Sequence, residues 1–167
     1  MLNKKGFTLI ELIIVIGLFS IALVLFFGTW QNIMGYWNKL SAQIELQQNL
    51  RIGLEAIDND LRQAKYVEAL EENCLVIRDL RNNLIKYELG SDPYSEEHPY
   101  SIEGGTLYRT ENSQAKQPIA NFIQELTITD KRQDGNITYL NIKIGGSLPD
   151  GKSLFIETGV ELKWSSY

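Results

Sequence analysis

The sequence predicts an α+β fold, in which one long N-terminal helix packs on an antiparallel β-sheet head. Two features of the polarity pattern lead to this fold class. An uncharged apolar run is followed by apolar residues at helical spacing, and short segments of alternating polarity fill the rest of the chain. We therefore predict an apolar helix over residues 7–28, an amphipathic stalk helix over residues 29–65 and a β-rich head over residues 66–167.

The first element, residues 7–28, is long and apolar enough to cross a membrane. As a helix it extends about 30 Å, the thickness of the hydrocarbon core of a bilayer, and a helix satisfies its own backbone groups there. Lys4 and Lys5 precede the run, and the positive-inside rule keeps that end cytoplasmic. We therefore predict a single-pass protein of the inner or cytoplasmic membrane, with its head outside the cytoplasm.

Glu11 interrupts this apolar segment. A carboxylate in the hydrocarbon region is costly, although less so toward the end of a span. An ordinary secretory signal has no use for such a residue and usually ends in a small-x-small cleavage site. The end of the run, Leu25-Phe26-Phe27-Gly28-Thr29-Trp30, offers no such site. The segment is therefore either a plain anchor with an incidental glutamate or something more specific.

The order Lys5-Gly6-Phe7-Thr8-Leu9-Ile10-Glu11 resembles the N-terminal signature of type IV pilins and type II secretion pseudopilins. The resemblance implies that a membrane prepilin peptidase cuts between Gly6 and Phe7, which makes residues 1–6 a leader peptide. It implies that the new amine at Phe7 is commonly N-methylated. It also implies that Glu11 meets the N-terminal amine of a neighbouring subunit in a helical filament. The physics agrees, because a paired buried charge is tolerated where an unpaired one is not.

The stalk helix is predicted from apolar residues that recur in steps of three and four. This stripe, interrupted at Gln47, consists of Ile33, Trp37, Leu40, Ile44, Leu50, Leu54, Ile57, Leu61 and Ala64. The ending Asp60-Leu61-Arg62-Gln63-Ala64 is similar to the stalks of J-type minor pseudopilins and W-type minor pilins, which implies a place in an initiating tip complex. The alternative is an ordinary exposed helix face with ion pairs near Glu55 and Arg62.

The head is predicted as an antiparallel sheet with one face covered by the stalk stripe, forming a pilin-like roll. A polar turn at Arg81-Asn82 joins the first two strands in a hairpin. Cys74, the only cysteine, is expected as a small buried apolar residue, and Gly159 is expected to kink the last strand. The predicted strands cover residues 74–78, 83–89, 106–111, 121–129, 137–144 and 153–164.

No catalytic site, metal site or cofactor is predicted in the head. Residues 130–136 resemble the start of a calcium loop, but Arg132 occupies a position that needs an oxygen ligand, so Asp134-Gly135 is better interpreted as a hairpin turn. The acidic loop over residues 92–97 is kept as an alternative calcium candidate, because some pseudopilins bind calcium in loops of the head. His98, the only histidine, is expected to be exposed in a loop.

The formal net charge of −5 argues against sequence-independent nucleic-acid binding, which depends on clustered Lys and Arg. A competence pilus tip that binds DNA would favour exposed basic residues in the head. The candidates are Arg78, Arg81, Lys131 and Arg132.

With the resemblance, the sequence implies a structural subunit and not an enzyme. This minor pilin or pseudopilin would be processed by prepilin peptidase and assembled with other major and minor subunits, through an assembly platform protein and ATPase. The product is a type IV pilus, a competence pilus or a type II secretion pseudopilus, and the sequence does not identify which of these assembly machines is used. The alternative is an uncleaved, membrane-tethered ligand-binding or sensor domain, and an exported enzyme is the least favoured interpretation.

Overall fold

The computed structural model describes residues 8–71, 73–90, 102–133 and 136–162. Within them, one helix, α1 (Leu9–Arg62), is followed by eight strands. The strands are β1 (Ala64–Glu71), β2 (Cys74–Asp79), β3 (Leu84–Gly90), β4 (Gly105–Glu111), β5 (Gln117–Ile123), β6 (Glu125–Gln133), β7 (Asn136–Ser147) and β8 (Ser153–Glu161). This confirms the predicted α+β class, with one long N-terminal helix and an antiparallel β-sheet head. The chain divides into two compact units, and the boundary falls between Leu40 and Ser41 within α1.

The strands of the head form two antiparallel sheets, where the sequence had predicted one. Strands β1 to β5 form the first sheet and strands β6 to β8 the second, each in sequence order. The predicted strand over residues 121–129 is wrong as a single element, because it divides at Gln124 between the two sheets. Phe122 has a φ of 64°, a conformation that does not continue a regular strand, and the pairing of β4 with β5 shifts register nearby.

The buried face of α1 follows only the second half of the predicted stripe. Its members are Ala42, Leu46, Leu50, Gly53, Leu54, Ile57 and Leu61. Ile44, which the stripe included, is 45% exposed. The six-residue step from Ile44 to Leu50 turns a helix by about 240° beyond one full turn, so the two halves of the predicted stripe lie on different faces. The buried face continues instead through Leu46.

This buried face packs into one hydrophobic core with the inner sides of both sheets. Core residues from the first sheet include Tyr87 and Leu107, and those from the second include Ile142. Each large side chain buried in this way contributes about 1.5–3 kcal/mol of transfer free energy. Gly53 allows the helix to approach closely, because a Cβ there would lie 3.1 Å from the Leu107 side chain and 3.3 Å from Ala120.

The helix ends at Arg62, three residues before the position expected from the sequence, and β1 follows at once. Ala64 therefore belongs to β1 and not to the helical stripe. β1 was not predicted from the sequence. Its pairing with β2 contains two register shifts, and a bulge breaks the two-residue alternation by which strands are recognised.

The hairpin predicted around Arg81-Asn82 is present between β2 and β3. Asp79 organises its turn, because its carboxylate accepts hydrogen bonds from the backbone N–H groups of Arg81 and Asn83 at 2.8 and 2.7 Å. Asn82 adopts a φ of 67°, which asparagine tolerates better than most residues.

Two smaller expectations for the head need correction. Cys74 is only partly buried at the start of β2, because the side chain of the next residue, Leu75, is the one that points into the core. Gly159 does not kink β8, which pairs with β7 without interruption. The side chain of Tyr139 occupies the space that a Cβ at Gly159 would need, so glycine serves cross-strand packing there.

We expect Leu50→Ala to lower the stability of the head by about 2–5 kcal/mol, because the substitution leaves a cavity beneath α1 at a fully buried site. Ile52→Ala is the matched control: Ile52 lies two residues away and is 51% exposed, so the change stays within about 0.5 kcal/mol. Native-state hydrogen exchange of β7 amides measures both values. Equal effects of the two substitutions would contradict the described face of α1.

Candidate functional site

The first unit contains an apolar helical surface that no described residue of that unit covers. Among the described residues, α1 is the one helix long and apolar enough to span a membrane. Its large apolar side chains are exposed throughout the segment, from Leu9 at 77% to Phe27 at 60%. Monomeric soluble proteins rarely expose a continuous apolar surface of this size, so the segment suits a bilayer or the apolar helices of neighbouring subunits.

The few polar side chains in this segment hydrogen bond to the helix itself. The Ser20 hydroxyl donates to the Ile16 carbonyl at 2.8 Å, and the Thr29 hydroxyl donates to the Leu25 carbonyl at 2.9 Å. These bonds remove the cost of placing a hydroxyl group in hydrocarbon.

Aromatic residues follow at the C-terminal end of the apolar segment. The Phe26 ring stacks on Trp30 at 6.2 Å and meets Phe27 edge to face at 5.9 Å. Aromatic side chains are enriched where a membrane helix reaches the interface. The helix continues through Gly28 without a break.

Glu11 lies in the first turn of α1, where its carboxylate is bound by Thr8. Oε2 of Glu11 accepts hydrogen bonds from the Thr8 backbone N–H and from the Thr8 hydroxyl, both at 2.8 Å. The Glu11 N–H in turn lies 3.4 Å from the Thr8 hydroxyl oxygen. The arrangement is a capping box, which satisfies backbone donors at a helix N-terminus. The sequence analysis missed Thr8, although Thr-x-x-Glu before an apolar run is the signature of this cap.

The capping box leaves part of the Glu11 carboxylate available. Both bonds from Thr8 end on Oε2, so among the described residues Oε1 of Glu11 receives no hydrogen bond. The side chain is exposed, and no positive group in the described part of the chain neutralises it. The site is therefore able to accept a cation, such as an ammonium group, at Oε1. Gly6 and Phe7, the predicted cleavage and methylation positions, lie outside the described residues.

A second polar cluster joins the C-terminal end of α1 to the first sheet. Oδ2 of Asp60 accepts hydrogen bonds from the Tyr87 hydroxyl and from Nε of Arg109, both at 2.7 Å. Arg109 also pairs with Glu111 at 2.9 Å. Burial, with the hydrogen bond to Asp60, raises the pKa of Tyr87. Burial alone would lower the pKa of Arg109, but its bonds to Asp60 and Glu111 outweigh it and raise that pKa.

The stalk ending at residues 60–64 therefore supports the fold. Leu61 is buried in the core, and the Gln63 carbonyl accepts a hydrogen bond from the N–H of Leu80 at 3.3 Å. Arg62 pairs with Asp58 at 2.8 Å, where the sequence had suggested pairing near Glu55. Asp60 makes the contacts described above.

In the described part of the head, no group of three or more His, Cys, Asp or Glu side chains is arranged so that it could hold a metal ion. The loop over residues 92–97, His98 and Asp134-Gly135 lie outside the described residues. Asp130, at the start of the calcium-like segment, pairs with Arg132.

The basic candidates for DNA contact belong to two different sheets. Arg78 and Arg81 lie at the β2–β3 end of the first sheet, whereas Lys131 and Arg132 lie on β6 in the second sheet. Arg78 is paired with Glu68 at 2.9 Å.

Comparison with known proteins adds one finding. Residues 1–27 match the family model described as a prokaryotic N-terminal methylation motif. The match covers the predicted leader and most of the apolar helix, and it supports the type IV pilin-like class of proteins that are processed at the N-terminus. No curated protein matches the chain, and no solved structure matches it.

We expect Asp60→Ala to destabilise the head by about 2 kcal/mol, because Arg109 and the Tyr87 hydroxyl lose their shared acceptor and the hydroxyl keeps only its bond to the Ala56 carbonyl at 3.0 Å. Asp58→Ala is the matched control, since it removes a carboxylate from the same helix turn whose partner, Arg62, is 62% exposed and whose ion pair contributes little. Urea unfolding, monitored by hydrogen exchange of the β3 and β4 amides, compares the stability of the two variants. A larger loss for Asp58→Ala would contradict the assigned role of Asp60.

Proposed function

We propose that this chain is a minor pilin or pseudopilin, a structural subunit that prepilin peptidase processes and an assembly machine adds to a filament. The observation that carries the proposal is the state of Glu11. Its carboxylate stands in the first turn of an exposed apolar helix with one oxygen held by Thr8. The methylation motif spans the same residues.

Processing would create the partner that Glu11 lacks. A cut between Gly6 and Phe7 releases residues 1–6, including Lys4 and Lys5, and leaves a new amine at Phe7. That amine, methylated or not, is positive near neutral pH. Pairing it with Glu11 of a neighbouring subunit removes an uncompensated charge from hydrocarbon and fixes the register of two apolar helices. The exposed side chains between Leu9 and Phe27 would then pack against neighbouring helices.

A place in the initiating tip complex is the finer part of the proposal. It is supported by the likeness of residues 60–64 to J-type and W-type stalks. The partners would be other major and minor pilins or pseudopilins, with the platform protein and ATPase acting on the assembly. Type II secretion, type IV pili and competence pili all fit. Among them, DNA binding by a competence tip has the least support, given a net charge of −5.

The intact mass of protein extracted from native membranes tests this proposal, with wild type compared with Gly6→Ala. We expect wild type to begin at Phe7, with or without one added methyl group, and Gly6→Ala to retain Met1. Gly17→Ala is the matched control, because it makes the same substitution inside the apolar helix where a Cβ would contact nothing within 4 Å. This control should be processed normally.

A wild-type chain that keeps Met1 in a host with active prepilin peptidase would contradict the proposal. The membrane-tethered binding or sensor domain would then be favoured.

A further inference from the structure

The described residues include four edge strands, and three of them carry features that prevent further pairing. Edge strands usually avoid it through bulges, prolines and basic side chains. The β1 edge has two register shifts. The β5 strand contains Pro118 and shifts register twice against β4. The β6 strand carries Lys131 and Arg132 at a bulge.

The fourth edge, β8, has no bulge, no proline and no basic side chain, and its charged residues are two glutamates, Glu157 and Glu161. All nine of its residues pair with β7 in unbroken register, and it contains no proline, lysine or arginine. Every second residue of an antiparallel edge strand directs its N–H and C=O groups away from its partner. Within the described part of the chain, no backbone group hydrogen bonds to that outer side of β8.

A groove runs beside this open edge, between β8 and the helix. It has a volume of about 420 Å³ and is lined from α1 by Ile44, Gln47, Gln48 and Arg51, and from β8 by Leu154 and Ile156. Ile44 is 45% exposed there. A strand added to β8 would direct every second side chain into this groove, against the apolar parts of Ile44 and Leu154.

The opposite face of β8 is acidic. Glu157 and Glu161 are both exposed there, and neither forms an ion pair with any described residue. Lys143 is the cross-strand partner of Glu157, but its ammonium group lies 3.9 Å from the centre of the Phe155 ring and 3.7 Å from Glu125. An added strand would place its outward side chains beside the two free carboxylates, where basic residues are favoured.

We propose that β8 is a docking edge for an extended segment of a different protein subunit, which binds by β-strand addition. The segment carries apolar residues at alternate positions, facing the groove, and Lys or Arg at the positions between them. Charge disfavours a second copy of this chain as the occupant, because two antiparallel β8 strands centred on Glu157 or Gly159 would place glutamates opposite each other. The proposal does not depend on N-terminal processing.

The test uses the full-length protein in zwitterionic detergent micelles with the fluorescein-labelled probe Lys-Val-Lys-Val-Lys-Val-Lys, acetylated and amidated at its ends. Fluorescence anisotropy measures binding, and hydrogen exchange locates it. We expect the probe to bind and to slow exchange in β8 but not in β1 or β6. Methylation of the backbone nitrogens of the probe, which keeps its side chains, should abolish binding.

A charge reversal separates docking at β8 from general attraction to an acidic protein. Glu157→Lys should weaken binding of the lysine probe about 3- to 10-fold and strengthen binding of Glu-Val-Glu-Val-Glu-Val-Glu. Glu71→Lys makes the same change of charge on the exposed edge of β1 and should leave both affinities unchanged.

Several results would overturn the proposal. The lysine probe would fail to bind, or would protect a strand other than β8. Alternatively, the two substitutions would change its affinity equally, or the methylated probe would bind as well as the unmethylated one. Self-association that protects β8 without any probe would instead make a second copy the occupant and would also overturn it.

Discussion

The charge of Glu11 is the constraint on which the first unit of this protein depends. It is the only charged residue from Leu9 to Asn38, and it lies in the first turn of a helix whose apolar side chains are exposed. Thr8 donates two hydrogen bonds to one carboxylate oxygen, which stabilises the ionised group without neutralising it. In hydrocarbon the charge still calls for a positive partner. That requirement would make helix packing specific, since apolar side chains alone allow one helix to slide along another.

The single helix α1 meets two different environments, and its sequence changes accordingly. In the first unit it is apolar around its whole circumference, as a helix surrounded by lipid or by other apolar helices must be. In the second unit only one face is buried, and it carries Leu46, Leu50 and Ile57. The rest of its surface is mostly polar, apart from the exposed Ile44 and Ile52. The Asp60–Arg109 pair then holds the end of the helix against the first sheet.

Sequence reasoning succeeded where the signal lay in consecutive residues and failed where it depended on residues far apart. The apolar helix and the α+β class follow from local polarity. The change of helix face between Ile44 and Leu50 is also local in the sequence. However, an apolar pattern with a six-residue step does not indicate which half of the stripe faces the sheet. Asp60 and Arg109 are 49 positions apart, so neither segment on its own indicates that they are in contact. The chain passes from one sheet to the other at Gln124, two residues after Phe122, whose positive φ is not expected for phenylalanine.

The contact between Glu11 and a neighbouring amine is the most direct test of the assembly role. Treatment of native membranes that contain assembled subunits with a membrane-soluble carbodiimide converts a carboxylate and a touching amine into an amide. Our account predicts a cross-linked peptide that joins the Glu11 side chain to the Phe7 amine of another subunit, absent in Glu11→Gln. Recovery of Glu11 modified by the reagent but never joined to a second chain would contradict the account.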